Sequence, residues 1–500
     1  MSVTAYFDGS VGARPGQVAL VDGEVRLTWA DLDALTGQAR AWLALEGLEP
    51  GDRLVYAGAP DHRMVVWFWA ALRHGAVFVP LHDELNAQQL RFAAANCQAR
   101  VLIANCVDLD LPATRRFTPG QAWDGLRNCL DAPRPAPHES SPDEVALLIY
   151  TSGTTGRPRG VICPHRQVRA AVEAIGGCLG YRADDVILCR LPLAFDYGLY
   201  QLLLAARVGC AVVLAAPGAD LDLVKTIARH GVSVVPLVPS LAQMLTLLQR
   251  RRPTATSVRL FTNTGARLMP GVMAELLEQF PQAHYASMYG MTECKRISIL
   301  PVDEYAAHSE SVGYAIPGDQ VRIEDADGRA LPPGAIGEIV VRGATVMAGY
   351  WGIAMHQQSR FRSGPEGLEL RTGDNGLLDE DGRLYFVGRD DDIIKRHGIR
   401  MSLHEIEDAA DGCAGVDASV ALRPAIEDAP LTLAYVGTAA EGVLIAHLAA
   451  SLDRIRRPNR VRRIAAIPLT RNGKPDRPAL ATLLTTASHP EEIPHDAARV

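Results

Sequence analysis

The stretch Leu147–Arg166 reads L-L-I-Y-T-S-G-T-T-G-R-P-R-G-V-I-C-P-H-R. Its apolar lead-in, Val145 to Tyr150, has the composition of a buried strand. The chain then breaks into small hydroxyl residues and glycines. Thr151, Ser152, Thr154 and Thr155 offer hydroxyl donors. Gly153, Gly156 and Gly160 let the backbone bend and turn its N–H groups outward. Arg157 and Arg159 add positive charge. That chemistry suits the phosphates of a nucleotide, although a Gly/Thr-rich surface loop has the same composition. It is not a Walker A loop, which requires G-x-x-x-x-G-K-[ST] running into a helix; here Pro158 and Gly160 intervene.

Working outward, strand and helix patterns alternate on both sides. Upstream, Thr28–Leu45 reads as an amphipathic helix with Trp29, Leu32, Leu35, Ala39 and Leu43 near one face. A strand at 53–56, a helix at 62–73, a strand at 76–80, a helix at 87–96 and a strand at 101–104 follow. Residues 107–144 lose the rhythm in a Pro-rich connection. Downstream come strands at 186–190, 211–214, 232–236, 258–262 and 284–288, with helices around 200–207, 221–230, 241–250 and 271–280. This β-α-β-α order predicts parallel sheets covered by helices. From about Val321, D-G and P-P-G turns break an alternating pattern, which predicts a small β subdomain of hairpins. A charged run near Gly388 marks another change, followed by a helix at 403–410, two strands, a helix at 443–452 and a last strand. The expected fold is α/β: a large N-terminal domain (1–390) of doubly wound sheets with a small β subdomain, joined to a small α+β C-terminal domain (393–500).

Length and composition agree with several compact units. The chain has 500 residues, 48% of them hydrophobic and 21% charged, with a net charge of −7. At roughly 100–200 residues per domain, that length predicts at least two domains. The acidic balance gives no reason to expect nucleic acid. No apolar run approaches the ~18 residues of a membrane helix, and the N-terminus lacks the basic start and apolar stretch of a signal peptide. Nine cysteines without C-x-x-C spacing read as reduced, mostly buried thiols in a cytoplasmic protein.

Four further stretches complete the pattern: Tyr289-Gly290-Met291-Thr292-Glu293, Arg371-Thr372-Gly373-Asp374, Gly388-Arg389-Asp390-Asp391-Asp392-Ile393-Ile394-Lys395, and Pro468-Leu469-Thr470-Arg471-Asn472-Gly473-Lys474. In this order behind T-S-G-T-T-G-R-P-R-G, they resemble the adenylate-forming superfamily over about residues 20–480. That superfamily holds acyl-CoA synthetases, adenylation domains that load carrier proteins, and luciferases. The resemblance implies an enzyme that activates a carboxylic acid with ATP, releases pyrophosphate and passes the acyl group to a thiol.

The resemblance also implies roles, and each suits the residue. The first step brings a carboxylate against the α-phosphate, so cations and donors must face the developing charge. Thr151, Ser152, Gly153, Thr154, Thr155 and Gly156 would wrap the β- and γ-phosphates. Thr292 would donate to the α-phosphate, Glu293 would hold Mg²⁺, and Lys474 would reach both carboxylate and α-phosphate. Gly265, Ala266 and Arg267 match the adenine-edge segment. Tyr289, with Gly290 and Met291 behind it, would stack on adenine. Asp374 would accept from the ribose hydroxyls, Arg389 would add a ribose or phosphate contact, and Arg400 would approach phosphate. Asp391 matches a hinge about which relatives swing the small domain, exchanging Lys474 for the loop around Lys395–Gly398. One departure stands out: the family's loop ends in P-K-G, whereas here it is Pro158-Arg159-Gly160, which keeps the charge on a planar, bulkier group.

The acid pocket is expected around Asp196, Tyr197, Tyr200, Pro236, Thr262, Thr264, Met288, Arg296 and Ile297. In amino-acid-activating relatives, an aspartate at the place of Asp196 pairs with the substrate amine. Those relatives read F-D-x-S, whereas this chain reads Phe195-Asp196-Tyr197-Gly198, and an H-D-x-G version occurs in relatives that take fatty acids. Arg296 is placed to pair with a second carboxylate or with Asp196 itself. Tyr197 and Tyr200 favour a small or medium, partly polar acid. Arg454, Arg456, Arg457, Arg460, Arg462, Arg463 and Arg471 crowd one stretch of an acidic chain. They suit an anionic partner, either CoA or an acidic carrier protein, or else a solvated face. With no carrier-type serine motif in the tail, a carrier is expected in trans. Two acid–thiol readings therefore stand: a CoA or carrier-protein ligase, and an amino-acid adenylation enzyme. A luciferase-like oxygenase lacks specific support, and retention of Glu293, Asp374 and Lys474 argues against a non-catalytic nucleotide binder.

Overall fold

The computed structural model describes residues 2–129, 135–151, 158–215, 220–266, 268, 270–364, 367–389, 393–396, 399–424, 430–470 and 475–486. Two large sheets carry the N-terminal part. One is six-stranded, with edge-to-edge order 115–117, 101–104, 53–57, 77–80, 145–151, 159–164; its strands are parallel except for the last, which returns antiparallel. The other is nine-stranded, in the order 314–315, 298–299, 284–289, 260–263, 234–237, 186–189, 211–214, 18–22, 25–28. Its centre, from His284–Tyr289 across to Val18–Asp22, is parallel throughout. Buried on both faces, such strands show apolar runs rather than alternation, as in V-V-P-L at 234–237 with all four residues buried.

The two sheets share one core. The helix His62–His74 has apolar residues all round and is buried between layers, with Trp67 and Phe68 at 0% and Trp69 at 1% exposure. An apolar helix surface without a polar side belongs in an interior. Trp42, Phe78, Leu147, Val168, Ile187 and Leu203 join the same cluster. Asp61 caps this helix by accepting from the backbone N–H groups of Arg63 and Met64, and Gly75 ends it at φ 81°.

A five-stranded antiparallel sheet (319–324, 337–343, 361–364, 367–378, 384–389) forms the expected β subdomain. Beyond it, Ile394, Met401, Leu403, Ile406, Leu433, Tyr435, Leu444 and Val461 build a separate core, under a three-stranded sheet (416–422, 432–437, 460–463) and a hairpin of Ile393–Arg396 with Ile399–Ser402. It meets the larger part where Ser402 Oγ donates to the Val387 carbonyl at 3.0 Å, Gln243 Nε2 donates to the Asp417 carbonyl at 3.2 Å, and the His404 ring lies 6.0 Å from Phe386.

Several elements differ from expectation. The Pro-rich connection holds a strand, Arg115–Phe117, and a helix, Pro119–Arg127. That helix begins on a reciprocal cap between Thr118 and Gln121, with proline at its first turn, a start signal present in T-P-G-Q. The helix expected around Tyr200 begins earlier, at Asp196. Helices Thr4–Ala13, His165–Leu179 and Arg477–Thr486 complete the set among the described residues. None of the described helices is long and apolar enough to cross a membrane.

Candidate active site

The opening stretch is a hairpin. Val145–Thr151 leads up, Arg159–Pro164 returns antiparallel, and Thr151 pairs with Arg159. The loop therefore runs strand to strand, unlike a Walker A loop. Ser152, Gly153, Thr154, Thr155 and Gly156 lie outside the described residues, as do Arg267, Asp391 and Lys474. Gly265, at φ 87°, and Ala266 bend the chain beyond the end of the strand Leu260–Asn263. Arg400 sits opposite Lys395 in the register of the 393–402 hairpin.

The Y-G-M-T-E segment is a turn that crosses itself. A Cβ on Gly290 would fall 2.3 Å from the Lys295 carbonyl oxygen, a distance only glycine permits. The Cys294 and Lys295 N–H groups both donate to the Met291 carbonyl, at 3.0 and 2.7 Å, and Ile297 N–H donates to Tyr289 O at 2.8 Å. Lys295 adopts φ 63°, uncommon for a side chain of its size. It is 1% exposed; its Nζ donates to the Thr292 carbonyl at 2.8 Å and lies 5.5 Å over the Tyr200 ring. Between Glu293 and Arg296, both expected at the site, Lys295 is a further buried charge that the sequence pattern does not mark. A buried lysine has no periodic signature.

Glu293 is buried. Its Oε1 accepts from the Tyr350 hydroxyl at 2.6 Å, and its carbonyl accepts from Met347 N–H at 2.9 Å. Among the described residues no cation pairs with this carboxylate. Mg²⁺ is commonly held by one or two carboxylates plus the substrate's phosphates, so a buried acid with a free oxygen fits that ion.

Asp374 and Tyr289 come together as one unit. The Tyr289 hydroxyl donates to Asp374 Oδ2 at 2.6 Å, while Arg389, its cross-strand partner, places Nε 3.2 Å from Oδ1. Asp374 N–H in turn donates to Thr372 Oγ1 at 3.0 Å. Burial, with the Asp374 charge beside it, holds the Tyr289 phenol far above its ordinary range, so it remains a donor. Its ring packs 5.5 Å from Phe386. The carboxylate is thereby fixed in place within the strand 367–378, beside the end of the strand 384–389.

The residues expected to line the acid pocket come mostly from the helix Asp196–Val208 and from the ends of the strands 260–263 and 284–289 and the turn after them. Asp196 is the first residue of the helix Asp196–Val208, where the positive end of the helix dipole favours an anion. A Cβ on Gly198 would sit 2.4 Å from the Pro192 carbonyl oxygen; the helix start lies too close to Leu191-Pro192 for the serine of F-D-x-S. The Tyr197 hydroxyl and Thr262 Oγ1 share a 2.7 Å hydrogen bond. Arg296 stacks over the Tyr197 ring, with Cζ 4.6 Å from its centroid, and donates from Nη1 to the Lys295 carbonyl at 2.6 Å. Met288, Thr264 and Ile297 are buried as well.

Asp196 and Arg296 are each 4% exposed, yet among the described residues they form no ion pair with each other. Arg296 Nε, Tyr200 Oη and Thr264 Oγ1 are buried without a hydrogen-bond partner. Leaving such groups unmatched costs free energy, most of all for the charged ones. Arg296 Nε and the Tyr200 and Thr264 hydroxyls, with Asp196 and Arg296 left unpaired with each other, form a set that suits a polar ligand.

The basic stretch divides. Arg456 is neutralised within the fold by Glu405 and Asp453, and Arg457 donates to the Ala449 and Leu452 carbonyls. Arg454, Arg462 and Arg463 carry no ion pair among the described residues. The docking face expected from Arg454–Arg463 is therefore narrower than its arginine count implies.

The family model described as AMP-binding enzyme matches residues 7–351. The chain belongs to the AMP-binding enzyme family. Among solved structures it resembles VinN in complex with L-aspartate, at 37% identity and a TM-score of 0.72, covering 78% of this chain and 98% of VinN; another VinN structure holds 3-methylaspartate. The ATP-bound MatB of Rhodopseudomonas palustris, at 23% identity, shares the fold over nearly the full length, with a TM-score of 0.84 covering 97% of this chain and 99% of that one. Pyochelin synthetase PchF of Pseudomonas aeruginosa is 29% identical over 82% of this chain. The chain spans only 23% of PchF, and less than half of the other large synthetases it matches.

Proposed function

We propose that this AMP-binding enzyme is an AMP-forming acid–thiol ligase whose acid is a small amino dicarboxylate. Family membership supports ATP as co-substrate and adenylate formation as the first step. A carboxylate oxygen of the acid attacks the α-phosphorus, the bond to pyrophosphate breaks, and an acyl-adenylate remains. Thr292 and the Thr151–Gly156 loop donate to the phosphates, and Lys474 neutralises charge on both carboxylate and α-phosphate. Asp374, held by Tyr289 and Arg389, takes the ribose hydroxyls. Glu293 holds Mg²⁺, which when bound offsets charge on the phosphates. In the second step a thiolate attacks the acyl carbonyl and AMP leaves, giving a thioester on CoA or on a carrier-protein phosphopantetheine.

One observation carries the choice of acid: buried Asp196 and buried Arg296 stand in one pocket without pairing. Asp196 matches an ammonium, Arg296 matches a second carboxylate, and Tyr200 and Thr264 supply neutral hydrogen bonds. The VinN complexes with L-aspartate and 3-methylaspartate support the same class. The fully buried Tyr197 and Tyr200 rings limit length and disfavour a long acyl chain. Free thiols at all nine cysteines support a reducing, cytoplasmic setting. Arg454, Arg462 and Arg463 remain as candidate contacts for an anionic acceptor supplied in trans.

The test is product identification by mass spectrometry, with acid panels presented alongside ATP and Mg²⁺. An acyl-adenylate and pyrophosphate that form only with an amino dicarboxylate support the reading. Fatty or aryl adenylates at comparable rates refute the choice of acid. Adding CoA or carrier proteins then shows which acceptor takes the acyl group.

A further inference from the structure

The departure at Arg159 and the unshared oxygen of Glu293 belong to one connected piece of structure. Gly160–Ile162, on the strand returning from the glycine loop, pairs with Ala348–Trp351: Trp351 N–H donates to Gly160 O at 2.8 Å, Ile162 N–H to Gly349 O at 2.8 Å, and Ala348 N–H to Ile162 O at 3.0 Å. The same segment reaches the Y-G-M-T-E turn, because Met347 N–H donates to the Glu293 carbonyl at 2.9 Å. Tyr350 sits between them. Its hydroxyl donates to Glu293 Oε1 at 2.6 Å, and the Arg159 guanidinium lies 5.4 Å from its ring centroid. Tyr350 is 2% exposed and also packs edge-on against Phe361 at 5.2 Å, so its ring has little freedom.

We propose that Tyr350 is a positioning residue for the carboxylate of Glu293, and that Arg159, stacked on its ring, couples the base of the glycine loop to that carboxylate. The inference rests on the reading that this chain binds Mg²⁺·ATP. The hydroxyl occupies one oxygen of Glu293 and leaves the other for the ion, which fixes the side chain's rotamer before nucleotide arrives. A planar guanidinium stacks on an aromatic face better than a compact, strongly hydrated ammonium does. This gives Arg159 a use that the P-K-G version of the loop does not need: it serves the turn rather than the phosphates.

The test uses the full chain with Tyr350→Phe and Arg159→Lys, and reads ATP binding by calorimetry with and without Mg²⁺, beside Mg²⁺ titration of pyrophosphate exchange. Losing a hydrogen bond to a carboxylate is expected to raise half-saturating Mg²⁺ about tenfold in Tyr350→Phe. The gain in ATP affinity given by Mg²⁺ should shrink by a similar factor, while metal-free ATP binding and the KM of the acid stay within about twofold. Arg159→Lys should move the same two quantities by about two- to threefold. If Tyr350→Phe unfolds, Arg159→Lys decides alone by the same readings. Wild-type Mg²⁺ dependence in both variants, or equal losses in acid and metal terms, overturns the proposal. A wild-type protein without acid-dependent exchange would instead refute the reading on which it rests.

Discussion

Arg296 illustrates what a single residue contributes here. Its Nη1 is satisfied by a neighbouring carbonyl, its face by Tyr197, and its Nε by nothing. A substrate carboxylate would complete the set with a charge-assisted bond. Replacing Arg296 with Gln is expected to raise the KM of an amino dicarboxylate about tenfold to a hundredfold, the scale of one or two hydrogen bonds to a charged group. The KM of ATP should stay unchanged. Asp196→Asn should do the same for acids carrying an amine and should spare simple dicarboxylates; steady-state kinetics on aspartate and succinate separate the two. These residues were legible in the sequence as candidates, but their relation was not. Residue type alone allows Arg296 to neutralise Asp196; in the fold the guanidinium lies over Tyr197 instead. Lys295 was invisible for a similar reason, since its burial depends on a left-handed turn that closes only in three dimensions.

At the scale of elements, alternating apolar runs gave the parallel strands and their order of appearance, while tertiary packing decided several boundaries. The helix beginning at Asp196 shows why. Phe195-Asp196-Tyr197-Gly198 carries no cap signal, and its start depends on close approach to Pro192. Gly198→Ser would put a Cβ against that carbonyl and is expected to cost about 1–3 kcal/mol by overpacking. The helix start would shift, and with it Asp196. Thermal unfolding and the KM of the acid should both respond, while ATP binding should not. The helix Thr4–Ala13 is not legible in the sequence because it is weakly amphipathic, although Phe7 is fully buried against Trp29 and Trp69. The Pro119–Arg127 helix could have been read from its capping box.

Across the whole molecule, two titrating groups in separate cores oppose each other. His165 is buried beside Val3 and held down at about 4, below its ordinary 6.5, chiefly by burial. A depressed histidine favours the folded state above 6.5, and that contribution is lost as pH falls toward 4. Asp411 is raised from 3.8 to about 7, first by burial and then by Glu407 and Asp408. Its contribution is full at low pH and disappears as pH rises through about 7. Acidification from pH 7 to 5 should therefore weaken the core holding His165 and strengthen the one holding Asp411. Hydrogen exchange across that range should show opposite slopes, and Asp411→Asn should flatten the second. The separate core beyond Ile394 also suits the swing about Asp391 that the family resemblance implies, which we propose for this chain. Lys474→Ala is expected to abolish acid-dependent pyrophosphate release and to spare thioester formation from pre-made adenylate. Equal loss of both steps would remove the swing from the mechanism.

Asp196 and Arg296, both buried and not paired with each other, are expected to select an acid of matching charges. ATP–pyrophosphate exchange with L-aspartate, succinate and alanine at matched concentrations tests it most directly. The structure predicts kcat/KM for aspartate at least about tenfold above both of the others, since each lacks one partner for a buried charge. Equal exchange with all three, or a preference for a long-chain acid, would contradict it.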